Sequence, residues 1–99
     1  MDANTRKKLR SIGHNLKPVV TIGDKGLSEG VAAELERALD DHELIKVKLP
    51  GGDPAARKAL AESLCKQHKA ELVQNIGRIA LILRRAKKPK AQLSNLQRL

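Results

Sequence analysis

Aromatic side chains are missing from this sequence: its 99 residues include no phenylalanine, tyrosine or tryptophan. Hydrophobic residues still make up 40% of the chain, which supports a folded domain whose core consists of leucine, isoleucine, valine and alanine. A chain of this length has room for one domain with one core of modest size. The lack of aromatic side chains excludes any function that depends on aromatic stacking.

Cysteine and long apolar runs are also scarce. The single cysteine, Cys65, cannot form an internal disulfide, which is typical of a protein from a reducing compartment. The first residues are polar and charged, and no apolar run approaches the length of a membrane span. We therefore expect a soluble cytoplasmic protein that does not bind a membrane.

Residue combinations that would support catalysis or metal binding are lacking too. Cys65 and His68 have the spacing of half a metal site, but no second cysteine pair exists and the other two histidines lie in unrelated segments. No arrangement of serine, histidine and aspartate can be argued, and exposed carboxylates on a helix are usually only solvated. We expect no enzymatic activity, no catalytic residue, no metal and no cofactor, and we rank a phosphate-ligand enzyme low.

Acidic residues are outnumbered and unevenly placed. Twenty lysine and arginine residues against eleven aspartate and glutamate residues give a formal net charge of +9 and an isoelectric point near 10.1. Such a field attracts polyanions before any specific contact forms, so nucleic acid is the expected partner. One face should nevertheless repel a polyanion, because six acidic residues crowd into one stretch. These are Glu29, Glu34, Glu36, Asp40, Asp41 and Glu43.

The spacing of apolar residues predicts seven elements in the order αβαβαββ. Helices are expected over residues 5–16, after an N-cap at Ser28, and from an N-cap at Asp53 to about residue 68. Strands are expected over residues 19–22, 42–49, 71–76 and 78–83. The buried residues of the third helix should be Ala56, Leu60, Ala61 and Leu64.

Basic residues form two stripes on these elements. On the first helix they fall opposite the apolar side, and on the second strand Lys46 and Lys48 alternate with apolar residues that point into the core. A solubilising surface is the alternative interpretation, but the cationic excess favours RNA contact. The residues of the two stripes are Lys7, Arg10, His14, Lys17, Lys46 and Lys48.

A short glycine loop, Gly23–Gly26, lies between the first strand and the second helix. Both glycines can take positive φ, so their N–H groups can line a concave site for phosphate oxygens, with the positive end of the helix dipole behind them. Lys25 adds a mobile cation, whereas the carboxylate of Asp24 repels phosphate unless it points away. A tight connection without a ligand is the alternative interpretation of this spacing.

The composition changes after Leu83 to a run of basic residues with a proline in its middle. We therefore divide the chain into a domain over residues 1–85 and a basic, flexible tail over residues 86–99, which either binds RNA or is a non-specific polycation. Leu93, Leu96 and Leu99 have the spacing of a weak amphipathic turn that would order against a partner.

Three blocks of the sequence closely resemble the CRM domain (chloroplast RNA splicing and ribosome maturation), especially its short stand-alone bacterial members. The blocks are KKLRSIGHNLKPVVTIGDKGLSEGV, HELIKVK and ELVQNIGR, in order between about Arg6 and Arg84. The resemblance implies an α/β fold, a single compact domain with a four-stranded mixed sheet similar to the C-terminal domain of translation initiation factor three. It also implies RNA binding through Gly23, Asp24, Lys25 and Gly26, and association with the maturing large ribosomal subunit.

Two positions depart from the family pattern. Relatives usually carry an aromatic residue where this chain has Leu83, so base stacking is not expected there, and Asp24 occupies a position more often neutral or basic. The leading hypothesis is a monomeric RNA-binding protein that assists ribosome maturation on ribosomal RNA. The alternative is a module that docks on ribosomal proteins through its acidic second helix, with the tail as an electrostatic anchor. The residues expected to flank the glycine loop on RNA are Lys7, Arg10, His14, Lys17, Lys46, Lys48 and Arg78.

Overall fold

The structure, a computed structural model, describes residues 1–96 of the chain. It contains three helices and four strands, and their order along the chain confirms the prediction. In chain order they are α1 (Ala3–His14), β1 (Pro18–Thr21), α2 (Glu29–His42), β2 (Leu44–Lys48), α3 (Pro54–Gln67), β3 (Glu71–Ile76) and β4 (Ile79–Leu83). None of the three helices described has the length and hydrophobicity that a membrane span requires.

Side-chain caps determine where the last two helices begin. The hydroxyl of Ser28 accepts a hydrogen bond from the Val31 N–H at 3.2 Å, and the Asp53 carboxylate accepts one from the Ala55 N–H at 3.3 Å. Both caps satisfy amides that have no partner inside the helix. The two predicted N-caps are therefore confirmed. α1 begins two residues earlier than predicted, because Asp2 caps it through the Thr5 N–H at 2.7 Å.

The four strands form one mixed sheet in the order β1-β2-β4-β3. β1 is parallel to β2, and the other two pairings are antiparallel. β2 therefore lies inside the sheet, with Lys46 opposite Leu81 and Lys48 opposite Ile79 on β4. This topology confirms the four-stranded mixed sheet that the family resemblance implies.

Helices cover both faces of the sheet, but unequally. α2 and α3 bury one face, where Ile45, Val47 and Leu49 pack against both helices as predicted. α1 covers part of the opposite face, where Leu9 and Leu44 belong to one cluster of buried residues. The second face of β2 is therefore apolar at its start and cationic further along.

The burial of α3 differs from the prediction at its start. Ala61 and Leu64 are buried and Leu60 is half-buried, but Ala56 is exposed. The residues of α3 that belong to the core begin at Leu60, and the first turn of the helix is exposed. The predicted burial of Ala56 is wrong.

α1 approaches the sheet closely at one residue. A Cβ atom on Gly13 would lie 2.5 Å from Cδ2 of Leu81, closer than real Cβ contacts come. Any other residue at this position would force the buried Leu81 side chain to move. The close approach holds the basic side of α1 beside the cationic half of β2.

The tail was expected to be flexible from residue 86, but residues 86–96 lie against the domain. Leu96 is 8% exposed and belongs to the core on the α1 side. The Asn95 N–H donates to the His42 carbonyl at 2.9 Å, and its side-chain amide donates to the Leu44 carbonyl at 2.6 Å. These bonds join the tail to the last residue of α2 and the first residue of β2. Leu99 of the predicted amphipathic turn lies outside the described residues.

Candidate nucleic-acid interface

A groove of about 670 Å³ opens between α1 and the face of the sheet that this helix only partly covers. Four basic residues that the sequence places on two separate elements line it together. They are Lys7, Arg10 and His14 of α1 and Lys46 of β2.

Helical spacing and sheet register bring these side chains together. Residues three or four apart lie on the same side of a helix, so Lys7, Arg10 and His14 form one row along α1. Lys46 points to the same side of the sheet as Leu81, its partner in the register, over which α1 crosses at Gly13. Positive charge therefore lies on both walls of the groove.

The remaining lining of the groove is largely apolar. Ile79 and Leu81 of β4 and Ile76 of β3 form its floor, and Ser11 and Gln74 lie among them. Ile76 is 65% exposed, the highest value among the exposed large apolar residues of the described chain. Sequence reasoning missed this floor. The signal that could have indicated it is Ile76, an apolar residue directly before the turn at Gly77.

The glycine loop is exposed to solvent, and its two glycines differ. Gly26 has a φ of +72° and donates its N–H to the Gly23 carbonyl at 3.0 Å, whereas Gly23 is not among the residues with positive φ. Of the two glycines, both of which can take positive φ, only Gly26 does so. Within residues 1–96, the N–H groups of Gly23, Asp24 and Lys25 donate to no protein acceptor. Three amides thus remain available to an anion.

The loop and the groove lie toward the same end of the sheet. Thr21 pairs with Lys48, and the N–H of the next residue, Ile22, donates to the Lys48 carbonyl at 2.8 Å. Lys48 in turn pairs with Ile79 of the groove floor. The loop therefore begins two residues beyond the strand row that ends the groove, with the exposed Lys48 between them.

Besides Lys48, two of the basic candidate residues do not line the groove. Arg78, in the turn between β3 and β4, donates through Nε to the Leu49 carbonyl at 3.0 Å, which holds it at the loop end of the sheet. Lys17 instead lines a small hollow with His42 and Asn95, near the start of β1. The structure therefore groups Lys17 with the end of α2 and the tail, not with the groove.

Acidic residues of α2 lie on the layer that covers the other face of the sheet, and part of their charge is compensated there. Glu36 accepts hydrogen bonds from Arg84 at 2.9 Å and is bonded to His68 Nδ1 at 2.5 Å. These two bonds, His68 first, lower the pKa of the Glu36 carboxyl below its ordinary value. Arg84 also binds Asp40 at 2.8 Å, and Lys90 binds Asp41.

Cys65 and His68 do not form a common site. Burial, with a smaller contribution from the charge of Glu62, raises the pKa of the Cys65 thiol to about 11, so the reactive thiolate is disfavoured. His68 is committed to Glu36. Among residues 1–96, no three His, Cys, Asp or Glu side chains gather closely enough to hold a metal ion.

Comparison with known proteins identifies the family. The sequence profile of the CRS1/YhbY (CRM) domain matches residues 1–84. The chain belongs to this family. A Pseudomonas aeruginosa protein, named as a probable RNA-binding protein, is 54% identical to this CRM protein over 93 residues, which cover 94% of this chain and 89% of that one. A Haemophilus influenzae protein named as an RNA-binding protein is 42% identical over 91% of this chain and 93% of its own length.

A solved structure has the same fold as this CRM domain. The solution structure of a Staphylococcus aureus protein, described as a candidate RNA-binding protein, superposes with a TM-score of 0.79 at 34% identity. The match covers 89% of this chain and 92% of that chain. The relatives are thus named for RNA binding and not for an enzymatic activity.

Leu83 lies inside this CRM domain. Leu83 is 3% exposed and packs in the α1-side core with Leu9 and Leu44. A side chain at this position contacts the core and cannot reach a base. Leu83 therefore contributes to packing in the core.

Proposed function

We propose that this CRM domain binds structured RNA mainly through the phosphate backbone. The observation that carries the proposal is the convergence of Lys7, Arg10, His14 and Lys46 on one groove. Cations on two walls of a concave surface reinforce one another's attraction for a polyanion. The names of the relatives support RNA as the partner.

The glycine loop extends this surface. The free amides of Gly23, Asp24 and Lys25 hold phosphate oxygens, the Lys25 side chain neutralises their charge, and Lys48 joins the loop to the groove. Asp24 opposes this contact, because its exposed carboxylate lies in the same loop. The affinity of the loop for phosphate therefore depends on whether the attraction from three amides and the Lys25 side chain exceeds the repulsion from the Asp24 carboxylate.

Backbone contacts make the interaction sensitive to salt. Each neutralised phosphate adds about 0.7 to 0.9 to the slope of log affinity against log salt concentration. The protein has no aromatic side chain on which to stack a base, so recognition depends mostly on RNA shape.

The proposed RNA is ribosomal RNA of the large subunit or its precursor, and the role is to assist ribosome maturation without catalysis. The family resemblance supports this assignment. Docking on ribosomal proteins through α2 has less support, because Arg84 and Lys90 already bind Glu36, Asp40 and Asp41 of that helix.

A matched pair of charge reversals tests the RNA-binding face. We expect Lys7→Glu to weaken binding to a large-subunit RNA fragment roughly tenfold and to lower the salt slope by about 1. Lys58→Glu makes the same change in net charge on an exposed residue of α3, behind the opposite face, and should change affinity far less. Filter binding measures the affinity of both variants. Equal losses would mean that the groove residues contribute to RNA binding only through the net charge of the protein.

A further inference from the structure

The floor of the groove has a property that phosphate binding does not require. Ile76 is 65% exposed and Ile79 is half-buried, so apolar surface lies open between rows of cations. A duplex backbone offers phosphates and sugars to such a site and gains nothing from apolar contact. An occupant that is both anionic and apolar would use both parts of the groove.

We infer that the floor formed by Ile76, Ile79 and Leu81 holds one unpaired RNA base while the surrounding cations bind its phosphates. The inference rests on the proposed RNA-binding function and makes it more specific. The preferred RNA carries a bulged or otherwise unpaired nucleotide at the bound site.

The shape and size of the groove suit one nucleotide. Its volume of about 670 Å³ lies within the range of about 300–1,000 Å³ typical of small-ligand sites. Lys7 and Arg10 lie on the helix wall and Lys46 on the strand wall, so cations are present on both sides of a base resting on the floor. A nucleotide within a chain likewise has a phosphate on each side.

Polar groups beside the floor suit the edge of a base. The side chains of Gln74 and Ser11 line the groove, and neither is bonded to another group among residues 1–96. An amide and a hydroxyl each donate and accept hydrogen bonds, as base edges require. The face of the base would contact the isoleucine methyl groups, and burial of apolar surface would stabilise it.

Charge favours RNA over a protein segment as the occupant. The lining contains four basic residues and no acidic one. An acidic peptide with an apolar side chain would also match the charge of the groove. Its carboxylates, however, do not lie on both sides of each apolar side chain, whereas a nucleotide within an RNA chain has a phosphate on each side. Binding of such a peptide is therefore left as an outcome of the test.

Three RNAs and three variants test this inference. The RNAs are one hairpin stem in fully paired form, with a single unpaired uridine, and with an abasic residue at that bulge. We expect the parent protein to bind the uridine bulge roughly five- to tenfold more tightly than the other two, as burial of about 50 Å² of apolar surface would give. Ile76→Asn should abolish this preference.

Val19→Asn is the matched control for Ile76→Asn. Val19 is also β-branched, lies on a strand and is 51% exposed, but it does not line the groove. It should keep the full preference. Because both residues are exposed, both variants should fold, and thermal unfolding followed by circular dichroism verifies this.

The outcomes separate the inference from the function on which it rests. Equal binding of the paired and bulged stems by the parent, equal binding of the uridine and abasic bulges, or a retained preference in Ile76→Asn would each overturn the inference. Tighter binding of an acidic peptide with an apolar side chain than of the bulged RNA would overturn the inference in favour of a protein partner. Unchanged affinity of Lys7→Glu for all three RNAs would instead overturn the proposed RNA-binding face.

Discussion

The carboxylate of Glu43 accepts a hydrogen bond from Ser94 Oγ at 2.6 Å, and both side chains are buried. The other carboxylate oxygen accepts the Ala86 N–H at 2.6 Å. Glu43 also ends α2 with a φ of +62°, a conformation that most side chains avoid. Glu43 thus joins the end of α2 to Ala86 and Ser94 of the tail, whose described part, residues 86–96, is called the C-terminal segment below.

Loss of the Ser94 hydroxyl should destabilise the fold. Ser94→Ala leaves a buried carboxylate oxygen without one of its donors, which costs about 1–3 kcal/mol. Urea unfolding should show a lower midpoint with an unchanged slope. Ser63→Ala, at an exposed position of α3, is the control and should leave the midpoint where it is. Equal midpoints for both variants would mean that Glu43 needs no donor from the segment.

The exposed basic residues at the start of the C-terminal segment and directly before it can be tested without unpacking the segment. Arg85, Lys87 and Lys88 are exposed, so replacing all three by glutamine should preserve the unfolding midpoint. We expect affinity to fall alike for every RNA, because a loss of charge reduces the non-specific term. A loss confined to one RNA would contradict a non-specific role. Deletion of residues 86–99 is a poorer test, because it also removes the buried Leu96 from the core.

Local signals explain what the sequence predicted correctly. Ser28 and Asp53 cap helices through amides two or three residues away, so the starts of α2 and α3 depend on neighbouring residues alone. The packing of the segment could not be read in this way. Ser94 and Asn95 form hydrogen bonds with Glu43 and Leu44, about fifty residues earlier in the chain. The composition of the segment shows its charges but not these distant partners.

The candidate site also combines features that the local sequence predicts with one that depends on residues far apart in the chain. The basic row on α1 follows from helical period, and Lys46 and Lys48 follow from strand alternation. That the row faces Lys46 depends on the approach of Gly13 to Leu81, a contact between residues far apart in the chain. Lys17 shares the helical period but follows the end of α1, so the period no longer applies to it.

Acid should weaken one link between α2 and the rest of the domain. The hydrogen bond to His68, followed by that from Arg84, lowers the pKa of Glu36 below its ordinary value of 4.5. A lowered pKa adds stability above pH 4.5 that is lost as the pH falls through the pKa of the folded protein. Because Glu36 is 49% exposed, solvent screens the effect and its size should be modest.

The comparison of the parent with Glu36→Gln measures this link. The parent should have the higher urea midpoint at pH 7, and the two midpoints should converge as the pH falls below 4.5. Glu34→Gln, an exposed position on the same helix, should follow the parent at every pH. A gap between parent and Glu36→Gln that is constant with pH would show that charge is not what stabilises the contact.

The glycine loop offers a variant pair that separates backbone strain from charge. Gly26 has a φ of +72° and open space where a Cβ would lie. Aspartate and asparagine tolerate positive φ better than most residues and differ mainly in charge. Gly26→Asn should therefore report the strain, and Gly26→Asp the same strain plus an anion beside the proposed phosphate site.

We expect Gly26→Asp to bind ribosomal RNA several-fold more weakly than Gly26→Asn, with the difference shrinking as salt screens the charge. Both variants should remain folded, because the apolar face of α2 behind the loop stays packed around Leu35 and Leu39. Filter binding at two salt concentrations measures the affinities, and urea unfolding checks the fold. Equal affinities at low salt would remove the loop from the RNA-binding surface and leave the groove to hold the phosphates alone.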